Sequence, residues 1–107
     1  MLTIEATSAV RQAARQYAEA KELEQRYENE RPVKKMEAIA RVMQFPNVLN
    51  DKAHSASSAE AVVETDSEYA AYLASCRMCV MNTIKAKAEY EIALSTMHNA
   101  VVVGLAA

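Results

Sequence analysis

Apolar residues recur at steps of three and four through the last third of the chain. The stretch from residue 67 to residue 103 contains no glycine or proline, so no helix breaker interrupts it. Such steps place side chains on one side of an α-helix, as the a and d positions of a coiled-coil seam. The pattern therefore predicts a long second helix over about residues 66–103. Its seam comprises Tyr69, Tyr72, Cys76, Cys79, Thr83, Ala86, Tyr90, Ala93, Met97 and Ala100.

A similar apolar stripe runs along the first part of the chain and predicts a first helix over about residues 5–44. Proline within a helix removes one hydrogen bond and costs about 3 kcal/mol, but in the first turn of a new helix it costs almost nothing. Pro32 therefore leaves two alternatives, a kink or a short break near residue 32. The stripe comprises Ala6, Val10, Ala13, Tyr17, Ala20 and Tyr27, and it resumes after Pro32 with Val33, Met36, Ile39, Ala40 and Met43.

Turn-forming and helix-capping residues dominate the connection over residues 46–65. A structureless connection of this length is uncommon in a compact domain, so we expect a short helix over residues 59–64, capped by Ser57 or Ser58. A hydroxyl followed three residues later by glutamate forms a capping box. Thr65 and Glu68 fit that spacing and predict the start of the second helix.

These elements predict an all-α fold, a long antiparallel helical hairpin forming one domain over residues 1–107. Much of the predicted seam is alanine, which buries little apolar surface. A lone hairpin of this kind is marginally stable, so we expect a homo-oligomer assembled as a helical bundle. Large apolar residues beside the second-helix seam also need to be buried against a further helix: Leu73, Val80, Ile84 and Leu94.

Charge and composition narrow the functional class. The net charge is −2, from 12 basic and 14 acidic residues, so the chain lacks the strongly basic character of most nucleic-acid binders. Neither the ~18–20 apolar residues of a membrane span nor the basic start and apolar run of a signal peptide is present in the sequence. Two cysteines without an export signal favour a reducing compartment, the cytoplasm.

Few residues of the chain are candidates for metal binding or catalysis. Cys76 and Cys79 form a CxxC pair, but zinc needs about four ligands, and His54 and His98 are poorly placed to complete the set. Both cysteines fall on the apolar seam, which favours buried thiols over a metal or redox site. The sequence contains no recognisable nucleophile–base pair, phosphate loop or metal cage. We therefore expect no catalytic residue, no metal and no cofactor.

A basic cluster lies in the second half of the first helix. A solvated helix face is the commoner meaning of such a run, and a docking site for phosphate or an acidic partner is the alternative. Its members are Arg31, Lys34, Lys35 and Arg41, and we expect Lys34 and Lys35 to face solvent. The tyrosines that fall mostly on the seams are interpreted as packing residues rather than base-stacking platforms: Tyr17, Tyr27, Tyr72 and Tyr90.

Three segments of the chain, in their order, resemble a known group of proteins over about residues 10–100. They are a basic segment at 31–35 (RPVKK), a Lys/Ala/Ser-rich linker at 52–60 (KAHSASSAE) and an acidic-Tyr helix start at 66–69 (DSEY). This order resembles small helical proteins of tailed bacteriophages that are encoded among recombination and single-strand-binding genes. The resemblance implies a phage protein that acts on or beside DNA-processing machinery.

Two functional hypotheses follow. The favoured one is a non-catalytic phage protein that binds a phage or host nucleic-acid-processing or defence protein, as a recombination accessory factor or an inhibitor. The alternative is a recombination accessory factor that binds DNA directly through the basic cluster at 31–41. Direct binding would weaken steeply with salt, whereas docking into a protein groove would weaken much less. The slight acidic excess favours the protein partner.

Overall fold

The computed structural model describes residues 4–46, 52 and 54–106 of the chain. Helix α1 spans Ile4–Val42, the short helix α2 spans Ala56–Ala61, and helix α3 spans Ser67–Ala106. A 3₁₀ turn at Val63–Thr65 joins α2 to α3. The predicted fold class is confirmed: the protein is all-α, a helical hairpin of two long helices with a short helix between them.

Helix α1 continues through Pro32 without interruption. Of the two alternatives that the sequence leaves open, the short break does not occur. Proline cannot donate the backbone hydrogen bond expected at its position, so α1 lacks one bond there. The surrounding helix and its packing must compensate for this loss.

The short helix begins earlier than the sequence predicts. Ser55, rather than Ser57 or Ser58, is its N-cap, because the Ser55 hydroxyl accepts a hydrogen bond from the Ser58 backbone N–H at 3.2 Å. The backbone of Ser55 is extended, as an N-cap residue requires. The predicted helix over residues 59–64 is therefore shifted to Ala56–Ala61 and followed by the 3₁₀ turn.

The cap of α3 also differs from the prediction. The Thr65 hydroxyl donates to the carbonyl of Val62 at 2.6 Å, inside the 3₁₀ turn, so it does not cap α3. Asp66 does so instead, since its carboxylate accepts the Tyr69 backbone N–H at 2.9 Å. Its carbonyl accepts the first helical hydrogen bond, from the N–H of Ala70 at 2.9 Å. An aspartate with extended backbone geometry is a strong N-cap, and it displaces the threonine from that role.

The chain divides into two compact units, to each of which α1 and α3 contribute a segment. The connection unit is Arg26–Met78. Its core is formed by Ala38, Val63 and Tyr69, with partly buried apolar side chains around them. Ala38 has no exposed surface, so the absence of a larger side chain there lets the 3₁₀ turn and the start of α3 approach α1 closely.

The terminal unit is Met1–Gln25 with Cys79–Ala107. Within it the rings of Tyr17 and Tyr90 lie 6.0 Å apart, centroid to centroid. The Thr83 hydroxyl oxygen lies 2.9 Å from the carbonyl oxygen of Cys79 on its own helix and 3.3 Å from that of Ala20 on α1. A hydroxyl that lies so near the opposite backbone indicates close helix packing, as expected where small residues line the contact.

Candidate interaction surfaces

The basic cluster is largely engaged within the connection unit. The Arg41 guanidinium binds both carboxylate oxygens of Asp66, with Nε–Oδ1 at 3.0 Å and Nη2–Oδ2 at 2.8 Å. The third guanidinium nitrogen, Nη1, lies 3.2 Å from Oε2 of Glu68. Lys35 donates to Glu60 at 2.8 Å. These pairs fasten α1 to the connection and to the start of α3.

Asp66 is the centre of this network. It accepts from Arg41 and from the Tyr69 backbone, and only 12% of its side chain is exposed. The hydrogen bond from Arg41, followed by the one from the Tyr69 N–H, lowers the pKa of the Asp66 carboxyl below its ordinary value. The Arg41 pKa is raised by the same hydrogen bond. Asp66 therefore caps α3 and anchors α1 with one side chain.

The second ion pair corrects the expectation for Lys35. Lys35 is half-buried and paired with Glu60, so it does not simply face solvent. The hydrogen bond between the two raises the pKa of Lys35 and lowers the pKa of Glu60. Lys34 is also half-buried, and Arg31 lies 3.7 Å from Glu28 on its own helix. Two members of the cluster thus have structural partners elsewhere in the unit, which the sequence did not reveal.

An open cleft of about 230 Å³ lies beside this network, between α1 and α3 of the connection unit. Its lining includes Lys34, Glu37 and Arg41 from one helix and Glu68 and Tyr72 from the other. Ligand pockets span roughly 300–1,000 Å³ and are mainly apolar. This cleft is smaller and carries charges of both signs, which makes it a poor small-molecule site.

A run of apolar residues faces outward on α1. Val33, Met36, Ala40 and Met43, here called the α1 outer stripe, follow steps of three, four and three residues and are all exposed. Val33 and Met36 expose 59% and 66% of their surfaces. An apolar stripe at helical spacing is usually the packed face of a helix. The stripe predicted after Pro32 is therefore not the packed one, since of its members only Ile39 is half-buried. The packed face is the opposite one, where Ala38 is fully buried.

A second outward stripe lies on α3 in the terminal unit. Met81, Ile84, Ala88 and Ile92, here called the α3 outer stripe, are all exposed. The three large members expose between 62% and 66% of their surfaces. Among the residues expected to need cover, Val80 and Ile84 are exposed, while Leu73 and Leu94 are half-buried.

The seam residues lie on the inner face of the helices. Cys76 and Cys79 are buried, reduced cysteines. Tyr69 is buried, whereas the remaining singled-out members are half-buried: Tyr17, Tyr27, Tyr72, Tyr90 and Met97.

Three of these tyrosines form a stack in the connection unit. The ring of Tyr72 stacks on Tyr27 and on Tyr69, with centroids 5.6 Å and 6.2 Å away. Its hydroxyl donates to the carbonyl oxygen of Tyr27. Burial, together with a hydrogen bond to Cys76, raises the pKa of the Tyr72 phenol. Tyr72 therefore remains a neutral packing residue that fixes α3 against α1.

No cluster suited to a metal ion occurs among the described residues, taking three or more His, Cys, Asp or Glu side chains as the minimum. His54 lies 3.0 Å from the Ser58 hydroxyl, next to the α2 cap, and His98 is exposed on α3. Within residues 4–46, 52 and 54–106, none of the helices has the length and apolar character needed to cross a membrane.

Comparison with known proteins adds no relative from which a function could be transferred. No protein family, curated protein or solved structure matches the chain.

Proposed function

We propose that the chain is a non-catalytic interaction protein that binds and modulates a phage or host nucleic-acid-processing or defence protein. It would serve as an accessory factor of recombination or as an inhibitor. The observation that carries this proposal is the α1 outer stripe. The phage setting comes from the resemblance of three sequence segments.

The α1 outer stripe has the layout of a helix that docks into a groove. Such helices present apolar anchors at positions i, i+3, i+4 and i+7 to an apolar groove of the partner. Val33, Met36, Ala40 and Met43 occupy i, i+3, i+7 and i+10 on one face of α1. Phe45, just beyond the helix, adds an aromatic side chain that is 67% exposed. The matching partner is a protein with an apolar groove about three helical turns long.

The state of the basic cluster favours a protein partner over DNA. DNA affinity depends on how many phosphates lysine and arginine side chains neutralise. Lys35 and Arg41 already pair with Glu60, Asp66 and Glu68. Their charge is thus compensated inside the connection unit. Direct DNA binding through the cluster would rest mainly on two residues, which is few for a stable complex.

The test combines capture with a binary binding measurement. The immobilised chain is exposed to lysate of a phage-infected host, the captured proteins are identified by mass spectrometry, and the strongest is purified for calorimetry. Met36→Glu places a charge in the α1 outer stripe and should weaken binding at least about tenfold. Met78→Glu, at a similarly exposed methionine of the connection unit, is the matched control and should bind like wild type.

Two outcomes would contradict the proposal. One is that Met36→Glu binds every captured protein as tightly as the control Met78→Glu does. The other is tight, strongly salt-dependent binding of single-stranded or duplex DNA that Arg31→Glu/Lys34→Glu abolishes. The latter outcome would favour the DNA-binding alternative.

A further inference from the structure

We propose that the α3 outer stripe is a self-association surface. It binds the same stripe of a second copy of this chain, with the two α3 helices antiparallel and the contact centred on Ala88. This surface is separate from the α1 outer stripe, which is proposed above to bind a different protein. The two proposals can therefore fail independently.

The first observation is that α3 is apolar on two sides. Thr83, Ala86 and Tyr90 face inward, while Met81, Ile84 and Ile92 lie on the outward side. A helix that is apolar on both sides normally lies between two partners, as in helical bundles. The outward stripe is also bounded, because Arg77 and Ser95 occupy the next positions of the same face. A local contact over about three turns fits this length.

The second observation identifies the partner as another copy. Residues 84–92 have the sequence IKAKAEYEI. Around Ala88, isoleucine lies four residues away in both directions, lysines lie one and three residues before it, and glutamates lie one and three residues after it. Reversing the direction of the chain thus exchanges lysines for glutamates. A segment of this kind is complementary in charge to an antiparallel copy of itself.

The flanks of the helix decide which charges meet. In an antiparallel helix pair, residues on the same flank of the two helices face each other. At 100° per residue, Lys85 and Glu89 share one flank of the stripe. With Ala88 opposite its own counterpart, each Lys85 lies about 3 Å along the axis from the level of the partner's Glu89, within reach of both side chains.

Lys87 and Glu91 repeat this arrangement on the other flank. The dimer would therefore contain four lysine–glutamate contacts, two on each side of the apolar stripe. In a parallel pair opposite flanks would face each other, and each Lys85 would instead lie about 3 Å along the axis from the level of the partner's Lys87, a like charge. The charge pattern therefore favours the antiparallel arrangement.

The competing explanation is pairing within one helix. Lys85 with Glu89, and Lys87 with Glu91, are also i,i+4 neighbours. Lysine on the N-terminal side of glutamate is the weaker of the two orientations for such pairs. All four side chains are exposed, and none of the ion pairs formed by described residues includes them. They are therefore available to a second copy.

The apolar centre fits the same arrangement. Ala88 opposes Ala88 of the second copy at the midpoint, where a small side chain lets the helices approach closely. Ile84 opposes the second copy's Ile92 on each side of this point. Four apolar residues per copy make a contact smaller than a standard stable interface, so the expected dimer dissociates in the micromolar range.

The experiment uses charge reversal of the full chain, with mass measured by sedimentation equilibrium. Lys85→Glu/Lys87→Glu makes the segment all acidic, and Glu89→Lys/Glu91→Lys makes it all basic. Each variant alone should dimerise at least about tenfold more weakly than wild type. An equimolar mixture of the two should restore the dimer, because every reversed contact regains an opposite charge. Pairing within one helix cannot produce this rescue.

A variant that reverses all four charges tests whether the loss of dimerisation in the other variants results from misfolding. It puts glutamate before lysine at i,i+4, the favourable orientation, so its helix is at least as stable. It should dimerise with itself but not with wild type, since mixed pairs place like charges together. The matched control for the all-acidic variant is Arg11→Glu/Arg15→Glu, which also replaces two basic residues by glutamate, at exposed positions of α1 in the terminal unit. It should dimerise as wild type does.

Three results would overturn the proposal. The wild-type chain could keep its monomer mass of 11.8 kDa at high micromolar concentration. The mixture of all-acidic and all-basic variants could remain monomeric while circular dichroism shows both to be folded. Wild type and the fourfold reversed variant could pair as readily as wild type pairs with itself.

Discussion

Replacing Asp66 by alanine tests how the connection is fastened to the two long helices. The carboxylate of Asp66 accepts the Tyr69 N–H at 2.9 Å and the two Arg41 donors at 3.0 and 2.8 Å. Asp66→Ala removes all three acceptor contacts. Asp66→Asn retains an oxygen for the cap and removes the charge, so it is the matched comparison.

The expected loss of stability in Asp66→Ala follows from the loss of the N-cap of α3. Loss of an N-cap aspartate costs about 1 kcal/mol, within a range of about 0.5–2 kcal/mol, whereas asparagine caps about as well as aspartate. For a domain of this size, 1 kcal/mol corresponds to a change in Tm of about 4–8 °C. Asp66→Ala should therefore lower the Tm by at least this amount at neutral pH. Asp66→Asn should fall between alanine and wild type, because it loses only the charged contact with Arg41.

The pH dependence provides a second measurement on the same variants. The native pKa of Asp66 lies below its ordinary value of 3.8, because Arg41 and the Tyr69 N–H favour the ionised form. A lowered native pKa contributes stability that is complete above the unfolded pKa and is lost as pH falls through the native pKa. The advantage of wild type over Asp66→Ala should therefore be complete at neutral pH and decrease below about pH 4.

The assays are thermal unfolding for the Tm and urea unfolding for the free energy, both followed by far-ultraviolet circular dichroism. All proteins are measured at the same concentration because association shifts apparent stability. Equal stability of Asp66→Ala and wild type at neutral pH would refute the role of Asp66. If Asp66→Asn lost as much stability as Asp66→Ala, the cap would not be the source of the effect. A difference that stayed constant down to pH 2 would refute the ionic contribution.

Further substitutions test the core, the proline and the thiols. Ala38→Leu should destabilise the fold by about 1–3 kcal/mol, because Ala38 has no exposed surface and lies against Val63; unchanged urea unfolding would contradict that packing. Pro32→Ala should raise the stability of α1 by up to about 3 kcal/mol, since it restores a helical N–H, and a lower Tm would count against this reasoning. Cys76 and Cys79 should react slowly with a thiol reagent until denaturant is added, whereas fast labelling of the native protein would show that they are accessible.

The sequence was sufficient for the secondary structure because helix formation depends on local spacing. The uninterrupted steps of three and four around Cys76, Cys79 and Tyr90 predict one long helix, and α3 spans Ser67–Ala106. The helix continues through Gly104 to Ala106, beyond the predicted end at about residue 103, and the capping and turn residues mark the connection. The caps and the short helix shifted, because Ser55 and Asp66 compete with neighbouring hydroxyl residues for the N-cap role.

The tertiary structure decided which face of α1 is packed after Pro32. After Pro32, α1 carries apolar residues on two sides, and periodicity alone cannot say which side is packed. Packing selected Ala38, because its small side chain lets Val63 and Tyr69 approach, and this left Val33 and Met36 outside.

Sequence spacing also did not predict the ion pairs of the basic cluster. Lys35 and Arg41 look like a free basic cluster in the sequence, but each pairs with an acid 25 residues away along the chain. Local spacing carries no information about such contacts, because they form only when the connection folds back on α1. The sequence by itself thus determined the long helices, the inner seam of α3 and the inner seam of α1 before Pro32. The fold alone decided that these charges fasten the structure and that two apolar stripes remain exposed.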